Sequence, residues 1–395
     1  MFSMSRIKKV QTVETELLGR GIAEAIDRDR LQRRLDQGDL LRVKLGIDPT
    51  GARLHLGHAV PLRVLRRFQD IGHTAVLIIG DFTARVGDPS GKKETRPPLA
   101  ESEIKENYRT YERQAFRILD KKMTEVRWQT EWYGNMSLDT FLHEVSKISA
   151  GWVYSHETFR ERLQSGQPLA LHETLYPVLQ AHDSIAVQAD VEIGGIDQKF
   201  NLLTGRELMR AHGMAPQDVI LTKYLVGTDG QKMGKSLDNF IALEEEPFEM
   251  FGKIMSLPDV ALRNYYELAT DIPIAELPAE SITDTAARDA KLRLAETIVG
   301  MYHGKSVADD AKKSWNTFLS DAVHVGSVKL HDVPTGSLLE LLVVVRVVKS
   351  KSEAQRLIEQ GGVKVNGMTN KDWGTILHVG DAVTIGKKKQ THTIT

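Results

Sequence analysis

Several short groups of side chains stand out by type and spacing. His55-Leu56-Gly57-His58 sets two imidazoles three residues apart, where an apolar run gives way to an amphipathic stretch. Unpaired backbone N–H groups and the positive end of a helix dipole would meet there, which suits phosphate. Gly57 would let a flat ligand lie against the backbone. Gln231-Lys232-Met233-Gly234-Lys235-Ser236 follows a Thr228-Asp229-Gly230 turn. Two lysines around a glycine, on what reads as a mobile loop, can bring positive charge onto a polyphosphate. Tyr176, Gln180 and Asp183 are spaced four and then three apart, so one helix face carries three hydrogen-bonding side chains within an otherwise apolar run. Gly194-Gly195-Ile196-Asp197-Gln198 has glycines for close approach and an acid able to hold a ribose hydroxyl. Gly87-Asp88-Pro89-Ser90-Gly91-Lys92-Lys93 is a ligand loop of another kind. Its glycine spacing is one short for a P-loop, and Lys93 stands where Ser or Thr must hold magnesium.

Each group alone has a bland reading. A lone His-x-x-His pair is more often surface or core than catalytic, and no third ligand is spaced for zinc. Two lysines are usually solvated. Asp88 alone is a turn former beside Pro89, and the stripe on the 172–187 helix could be a satisfied polar contact between helices. The joint occurrence of the groups, in order, outweighs these readings. There is no cysteine, so thiolate catalysis, thiolate metal sites and disulfides are excluded.

These groups need a scaffold. Val43, Leu45 and Ile47 alternate like a strand, and Asp48-Pro49-Thr50-Gly51 break it. Leu62, Leu65 and Phe68 recur as one face of a helix. Thr74 to Gly80 is a continuous apolar run, expected of a strand buried on both faces of a parallel sheet. Strand, helix, strand at this spacing predicts an α/β, Rossmann-like parallel-sheet domain over 1–243. Two short helices, Thr12 to Gly19 and Asp29 to Gly38, precede the first of these strands. A helix over 101–119 capped by Ser102, mixed helices over 138–163, and helices over 172–187 and 201–211 fill its crossovers. An acidic breaker at Glu244 opens an α-helical domain over 244–325. A linker over 326–336 then leads to a small α+β domain over 337–395. In that domain Ser352 caps a helix, Asn366-Gly367 makes a hairpin turn, and Lys387-Lys388-Lys389 follow the last strand.

The 395 residues suffice for two or three domains. Hydrophobic content of 41% and charged content of 27% are those of a soluble globular protein. No apolar stretch is long enough for a bilayer and the N-terminus lacks a signal-peptide core, so a cytoplasmic protein without a membrane partner is expected. The net charge of −1 conceals a C-terminal segment, 337–395, with nine lysines and arginines against five acids. A basic tail on an acidic body suggests an appended nucleic-acid binder.

His-Leu-Gly-His with Lys-Met-Gly-Lys-Ser resembles the paired signatures of class I aminoacyl-tRNA synthetases, with Gly234 where serine is commoner. Gly46-Ile47-Asp48-Pro49-Thr50, Gly87-Asp88-Pro89-Ser90-Gly91-Lys92, the Tyr176/Gln180/Asp183 stripe and Ile193 to Gln198 narrow the resemblance to the bacterial tyrosyl-tRNA synthetase family. It covers nearly the whole chain. The tail is similar to the RNA-binding module named after ribosomal protein four of the small subunit.

The resemblance implies a tyrosine–tRNA ligase that activates tyrosine with ATP and passes it to tRNA(Tyr). Magnesium would accompany the ATP, without a tightly bound metal, and a homodimer is expected. It implies that Asp88, Tyr176 and Gln180 grip the tyrosine ammonium, that Asp183 accepts from the phenol, and that Gln198 lies on the carbonyl side. His55, His58, Lys232 and Lys235 would contact phosphates and Thr50 the γ-phosphate, with Lys92 and Arg96 assisting at pyrophosphate or the tRNA end. Asp197 would hold the ribose. Gly46, Asp48, Gly57, Gly195, Met233 and Ser236 complete the nucleotide set. Lys44 stands where a well-known branch has a tyrosine that touches the substrate hydroxyl, so either Lys44 or another side chain makes that contact. Lys349, Lys351, Arg356 and Lys364 would meet RNA. The rivals are an enzyme charging tryptophan, a synthetase-like RNA binder without catalysis, and a nucleotidyltransferase without tRNA.

Overall fold

The structure, a computed structural model, describes residues 17–90, 100–279, 282–321, 323–386 and 390–395. Lys92, Arg96 and Lys387-Lys388-Lys389 lie outside the described residues, as does most of the first expected helix, and the Ser236 side chain is likewise not described. The chain forms two compact units. One comprises residues 1–54 and 58–224, the other 55–57 and 225–395.

The first unit is built on six strands: β1 Ile22–Ile26, β2 Arg42–Ile47, β3 Thr74–Ile79, β4 Thr124–Trp128, β5 Val191–Gly195 and β6 Asp218–Thr222. Their order is β1-β6-β5-β2-β3-β4, parallel except for the antiparallel edge strand β1. β3 is apolar throughout because helices cover both faces of a parallel sheet, and Val76 and Ile78 are fully buried. The chain runs β2-β3-β4 to one side, then returns to lay β5 and β6 on the other. The point where direction reverses, beyond the carboxyl ends of β2 and β5, is where open α/β sheets bind ligands.

Helices begin near their expected positions. The helix Arg28–Gln37 ends on Gly38 at φ +82, a left-handed cap that suits glycine. The helix Glu101–Ala115 starts from Ala100 with no side-chain cap, so Ser102 sits inside its first turn. The 138–163 stretch divides into helices Leu138–Val145, Ala150–Tyr154 and Glu157–Gln164, the first two capped by Ser137 and Ser149.

The second unit holds helices Pro247–Met255, Leu262–Ala269, Asp284–His303 and Lys305–Asp321. Trp315, almost fully buried, sits among the rings of Phe248, Phe251 and Phe318. A five-stranded sheet follows: β7 Val323–Val328, β8 Val363–Val365, β9 Met368–Asn370, β10 Ala382–Ile385 and β11 Gln390–Ile394, in the order β7-β11-β10-β8-β9. β7 pairs in parallel with β11, so the stretch read from sequence as the start of a linker contributes a strand. Asn366 and Gly367 both have positive φ, as the two central residues of a two-residue hairpin require. The helix Lys351–Glu359 is capped by Ser350, which accepts from the Glu353 N–H, and not by Ser352.

Candidate active site

The polar stripe of the helix Leu171–Ala186 lies over the switch point of the first unit. Tyr176 donates its hydroxyl to Asp48 Oδ2 at 2.9 Å, and Thr83 donates to Asp48 Oδ1 at 2.7 Å. The Asp48 carboxylate lies so close over Gly80 that a Cβ there would stand 1.9 Å from Oδ1 and would have to displace it. Burial and then the carboxylates of Asp48 and Asp88 keep the Tyr176 phenol well above its usual range, hence a neutral donor. Asp88 is half-buried, accepts from the Ser90 N–H at 2.9 Å and faces Gln198 Nε2 at 3.4 Å.

Asp183 is buried and accepts from Gln129 Nε2 at 2.8 Å and Trp132 Nε1 at 3.1 Å. Burial pushes its carboxyl up to about 7, against the pull of the Lys44 ammonium and the Gln129 hydrogen bond. Gln180 donates Nε2 to Glu192 Oε1 at 3.0 Å and accepts at Oε1 from Asn201 Nδ2 at 3.1 Å. Asn201 also reaches Ser90 Oγ at 3.3 Å.

Lys44 corrects an expectation. Its side chain is completely buried, and its three ammonium protons are matched by Glu192 Oε1 at 2.9 Å, Ser184 Oγ at 2.7 Å and the Gln180 carbonyl at 3.0 Å. No donor is left for a substrate hydroxyl, so Lys44 stands behind the stripe. The pairing follows from register, since Lys44 on β2 lies opposite Glu192 on β5.

The residues of this unit expected to meet nucleotide lie around the same strand ends. Thr50 follows β2 in a turn whose backbone is held by Asn107, bonded to the Pro49 carbonyl at 3.0 Å. Gln114 binds both Ala52 O and the Leu54 N–H. A Cβ on Gly46 would meet nothing within 4 Å, which leaves the strand end open to a ligand. Gly195 abuts the Asp197 carboxylate, which is hydrogen-bonded to Tyr224. His58 is half-buried in the first turn of the helix Leu56–Asp70.

In the second unit His55, Gly57, Met233 and Lys235 come together. The Gly57 N–H points at Met233 Sδ at 3.3 Å, and a Cβ on Gly57 would crowd the His55 ring at 3.0 Å. Burial, with the Lys235 charge beside it, pushes His55 down to about 3, so it is a neutral imidazole at pH 7. Lys232 is exposed. Asn239 ties the 228–236 segment together. Its Nδ2 donates to Asp229 Oδ1 and the Lys232 carbonyl, and its Oδ1 accepts from the Gly234 N–H. Gly234 has φ −164, extended backbone open to any residue.

In the C-terminal part Lys349, Arg356 and Lys364 are exposed, while Lys351 also bonds Glu340 at 2.6 Å. A groove beside the helix Lys351–Glu359 is lined by Val348, Arg356, Leu357 and Gln390, among others. Among the described residues no group of three or more His, Asp or Glu side chains is gathered as a metal site, and no helix is long and apolar enough to cross a membrane.

Sequence reasoning passed over Glu192, Gln129, Trp132, Thr83, Asn201 and Asn239. None belongs to a compact motif. Only Glu192, an acid in a strand otherwise buried, carried a signal.

A parallel sheet with polar side chains at its switch point, in a chain that also carries His-x-x-His and Lys-Met-Gly-Lys-Ser, fits a class I aminoacyl-tRNA synthetase. Residues 37–320 match the family described as tRNA synthetases class I (W and Y), and residues 338–383 match the S4 domain. A tyrosine–tRNA ligase of Dehalococcoides mccartyi is 41% identical, covering 96% of this chain and 98% of its own. One from Thermotoga maritima is 43% identical over 91% of each. The chain belongs to the tyrosine–tRNA ligases of class I. The fold agrees with that of a C-terminally truncated mitochondrial tyrosyl-tRNA synthetase from Aspergillus nidulans (TM-score 0.65, 22% identity), over 80% of this chain and 98% of that one.

Proposed function

We propose that the chain activates L-tyrosine with ATP, releasing pyrophosphate, and transfers the tyrosyl group to the terminal adenosine of tRNA(Tyr). The observation that carries this reading is Asp183, a buried carboxylate held by two donors and spaced on one helix face with Tyr176 and Gln180. It offers an acceptor to a phenol and nothing to a phenyl ring. A pocket that hydrogen-bonds the hydroxyl discriminates strongly against phenylalanine, and tyrosyl-tRNA synthetases are themselves the established example of that effect, at about 10⁵-fold. Asp88, Tyr176 and Gln180 receive the ammonium group, and Gln198 the carboxyl side.

The tyrosine carboxylate attacks the α-phosphate in line, with no enzyme nucleophile. Catalysis is positioning plus charge neutralisation on the departing pyrophosphate. Lys232 and Lys235 supply the positive charge, and His55 and His58 position the phosphates, His55 as a neutral hydrogen-bond donor. Thr50 serves the γ-phosphate, and Asp197 holds the ribose. Magnesium enters on the ATP phosphates. Lys92 and Arg96 assist at the pyrophosphate or acceptor end.

The domain plan follows: a catalytic part over 1–243, a helical part from 244 and an RNA-binding tail over 337–395 whose sheet also takes in β7. Lys349, Lys351, Arg356 and Lys364 meet phosphates of the tRNA. Exposed Leu138, Leu142, Leu163 and Leu171 support a homodimer through the 138–171 helices, which sedimentation would check. A cysteine-free chain suits the cytoplasm. The test is amino-acid-dependent ATP–pyrophosphate exchange with tyrosine, phenylalanine and tryptophan in parallel. Exchange with tyrosine alone supports the reading. Exchange with tryptophan alone transfers the pocket to the rival, and no exchange by a protein that still binds tRNA ends the catalytic reading.

A further inference from the structure

Glu192 is a buried carboxylate in the middle of a parallel sheet, and no step described above uses it. Its Oε1 accepts from Lys44 Nζ at 2.9 Å and Gln180 Nε2 at 3.0 Å; its Oε2 accepts from Ser184 Oγ at 3.4 Å and from Gln217 Nε2. A carboxylate paired with an ammonium can only accept. A carboxamide, by contrast, can turn over and exchange its oxygen for its nitrogen with little change of shape.

Gln180 is caught between Glu192, which only accepts, and the Nδ2 of Asn201, which only donates. In the observed orientation both contacts are satisfied. Turned over, the amide oxygen would face the Glu192 carboxylate and its NH2 would face the NH2 of Asn201. The contact with Glu192 would be repulsive in a site shielded from water whichever way Asn201 turns, so Glu192 is the contact that fixes the amide.

We propose that Glu192, held and neutralised by Lys44, is a positioning residue for the amino-acid site: it locks the Gln180 carboxamide with its oxygen presented to the substrate ammonium. Lys44 reinforces the lock by binding the Gln180 carbonyl and Ser184 one helical turn on, which pins the stripe at the height of the pocket. The residue that replaces a substrate-binding tyrosine thus serves substrate binding from behind. This inference rests on the ammonium role given to Gln180 above.

The same pair faces Asp183. The charged or titratable groups around Asp183 from the elements packed on it are Lys44 of β2, Glu192 of β5, Tyr133 of the short helix Thr130–Tyr133 and Tyr176 of its own helix. Lys44 favours the ionised carboxylate and Glu192 opposes it. Removing one charge or the other therefore moves Asp183 in opposite directions, which a general loosening of the fold would not do.

The experiment measures tyrosine-dependent ATP–pyrophosphate exchange on the full chain for Glu192→Gln, Lys44→Gln and the double variant, with melting temperatures alongside. Glutamine at 192 can donate as well as accept, so the Gln180 amide loses its single orientation. KM for tyrosine should rise about tenfold in Glu192→Gln and in the double variant, with KM for ATP within about twofold of the parent. The acid limb of kcat/KM for tyrosine should move to lower pH in Glu192→Gln and to higher pH in Lys44→Gln, and return near the parent in the double variant. A folded Glu192→Gln or double variant with parental KM for tyrosine overturns the proposal. So does loss of folding in both, which would assign the pair to stability alone. Absence of tyrosine exchange in the parent protein would instead end the functional reading itself.

Discussion

At the residue scale the pocket depends on contacts that one methyl group can break. Gly80→Ala would drive a Cβ into Asp48, which holds the Tyr176 hydroxyl. KM for tyrosine should rise at least about tenfold while the fold survives, because the clash is with a side-chain tip. Parental KM in the purified variant would remove Asp48 from the site. Asp183 sets a pH dependence. On the proposed reading the ionised form accepts from the phenol, and burial pushes its carboxyl up to about 7. kcat/KM for tyrosine should therefore fall about tenfold per pH unit well below pH 7 and level off above it. A limb near pH 4 would mean that the carboxylate is better solvated than its burial implies. Among the proposed phosphate contacts, Lys235→Ala and His55→Ala should each slow single-turnover adenylate formation by ~10²-fold or more, with weaker effects on tyrosine binding.

At the element scale one loop is held by a single side chain and one turn by the backbone of two residues. Asn239 makes three hydrogen bonds across the 228–236 segment that carries both lysines. Asn239→Ala should slow adenylate formation by about tenfold or more without raising KM for tyrosine, since it frees the loop and leaves the pocket alone. Stopped-flow measurement of the adenylate step would separate the two parameters. Gly234→Ser should do little, because φ −164 is accessible to serine. In the C-terminal sheet the Asn366-Gly367 turn needs both residues at positive φ. Gly367→Ala should lower stability by ~1 kcal/mol or more, because alanine is strained at its φ of +83. Chemical denaturation would read the difference.

At the scale of the whole molecule, charge is divided by task. The acidic body carries a basic C-terminal segment, and Lys349 and Lys364 stand exposed on it. Replacing both by alanine should weaken tRNA charging and lower the magnitude of the salt slope of tRNA binding by roughly two. An unchanged slope would place the tRNA elsewhere. Several carboxyls are held below their usual range. Glu125 is lowered first by its hydrogen bonds from Arg42. Glu144 is pushed up by burial but pulled further down by His212 and Lys147. Their folded values lie below the unfolded ones, so their stabilisation is complete above about pH 5 and is lost as pH falls through the folded values. The melting temperature should therefore drop below about pH 4, which a pH series of thermal melts would show.

What the sequence determined by itself was whatever is local and periodic. The β2–helix–β3 unit, the Tyr176/Gln180/Asp183 stripe, the glycine-rich strand end at Gly194 and the Asn366-Gly367 hairpin are written in spacings of two, three and four residues, and the structure has them all. The resemblance of the motifs was enough to indicate the family. Tertiary structure decided what depends on residues far apart in the chain. Lys44 looked like a pocket residue because a strand read alone says nothing of which side chain faces it from the next strand. Only the β2–β5 register sets it against Glu192, about 150 positions away. Asn239 reads as an ordinary polar residue until the loop folds back on it. β7 went unseen because its partner β11 lies at the other end of the tail, and strand pairing between distant segments leaves no periodic mark in either.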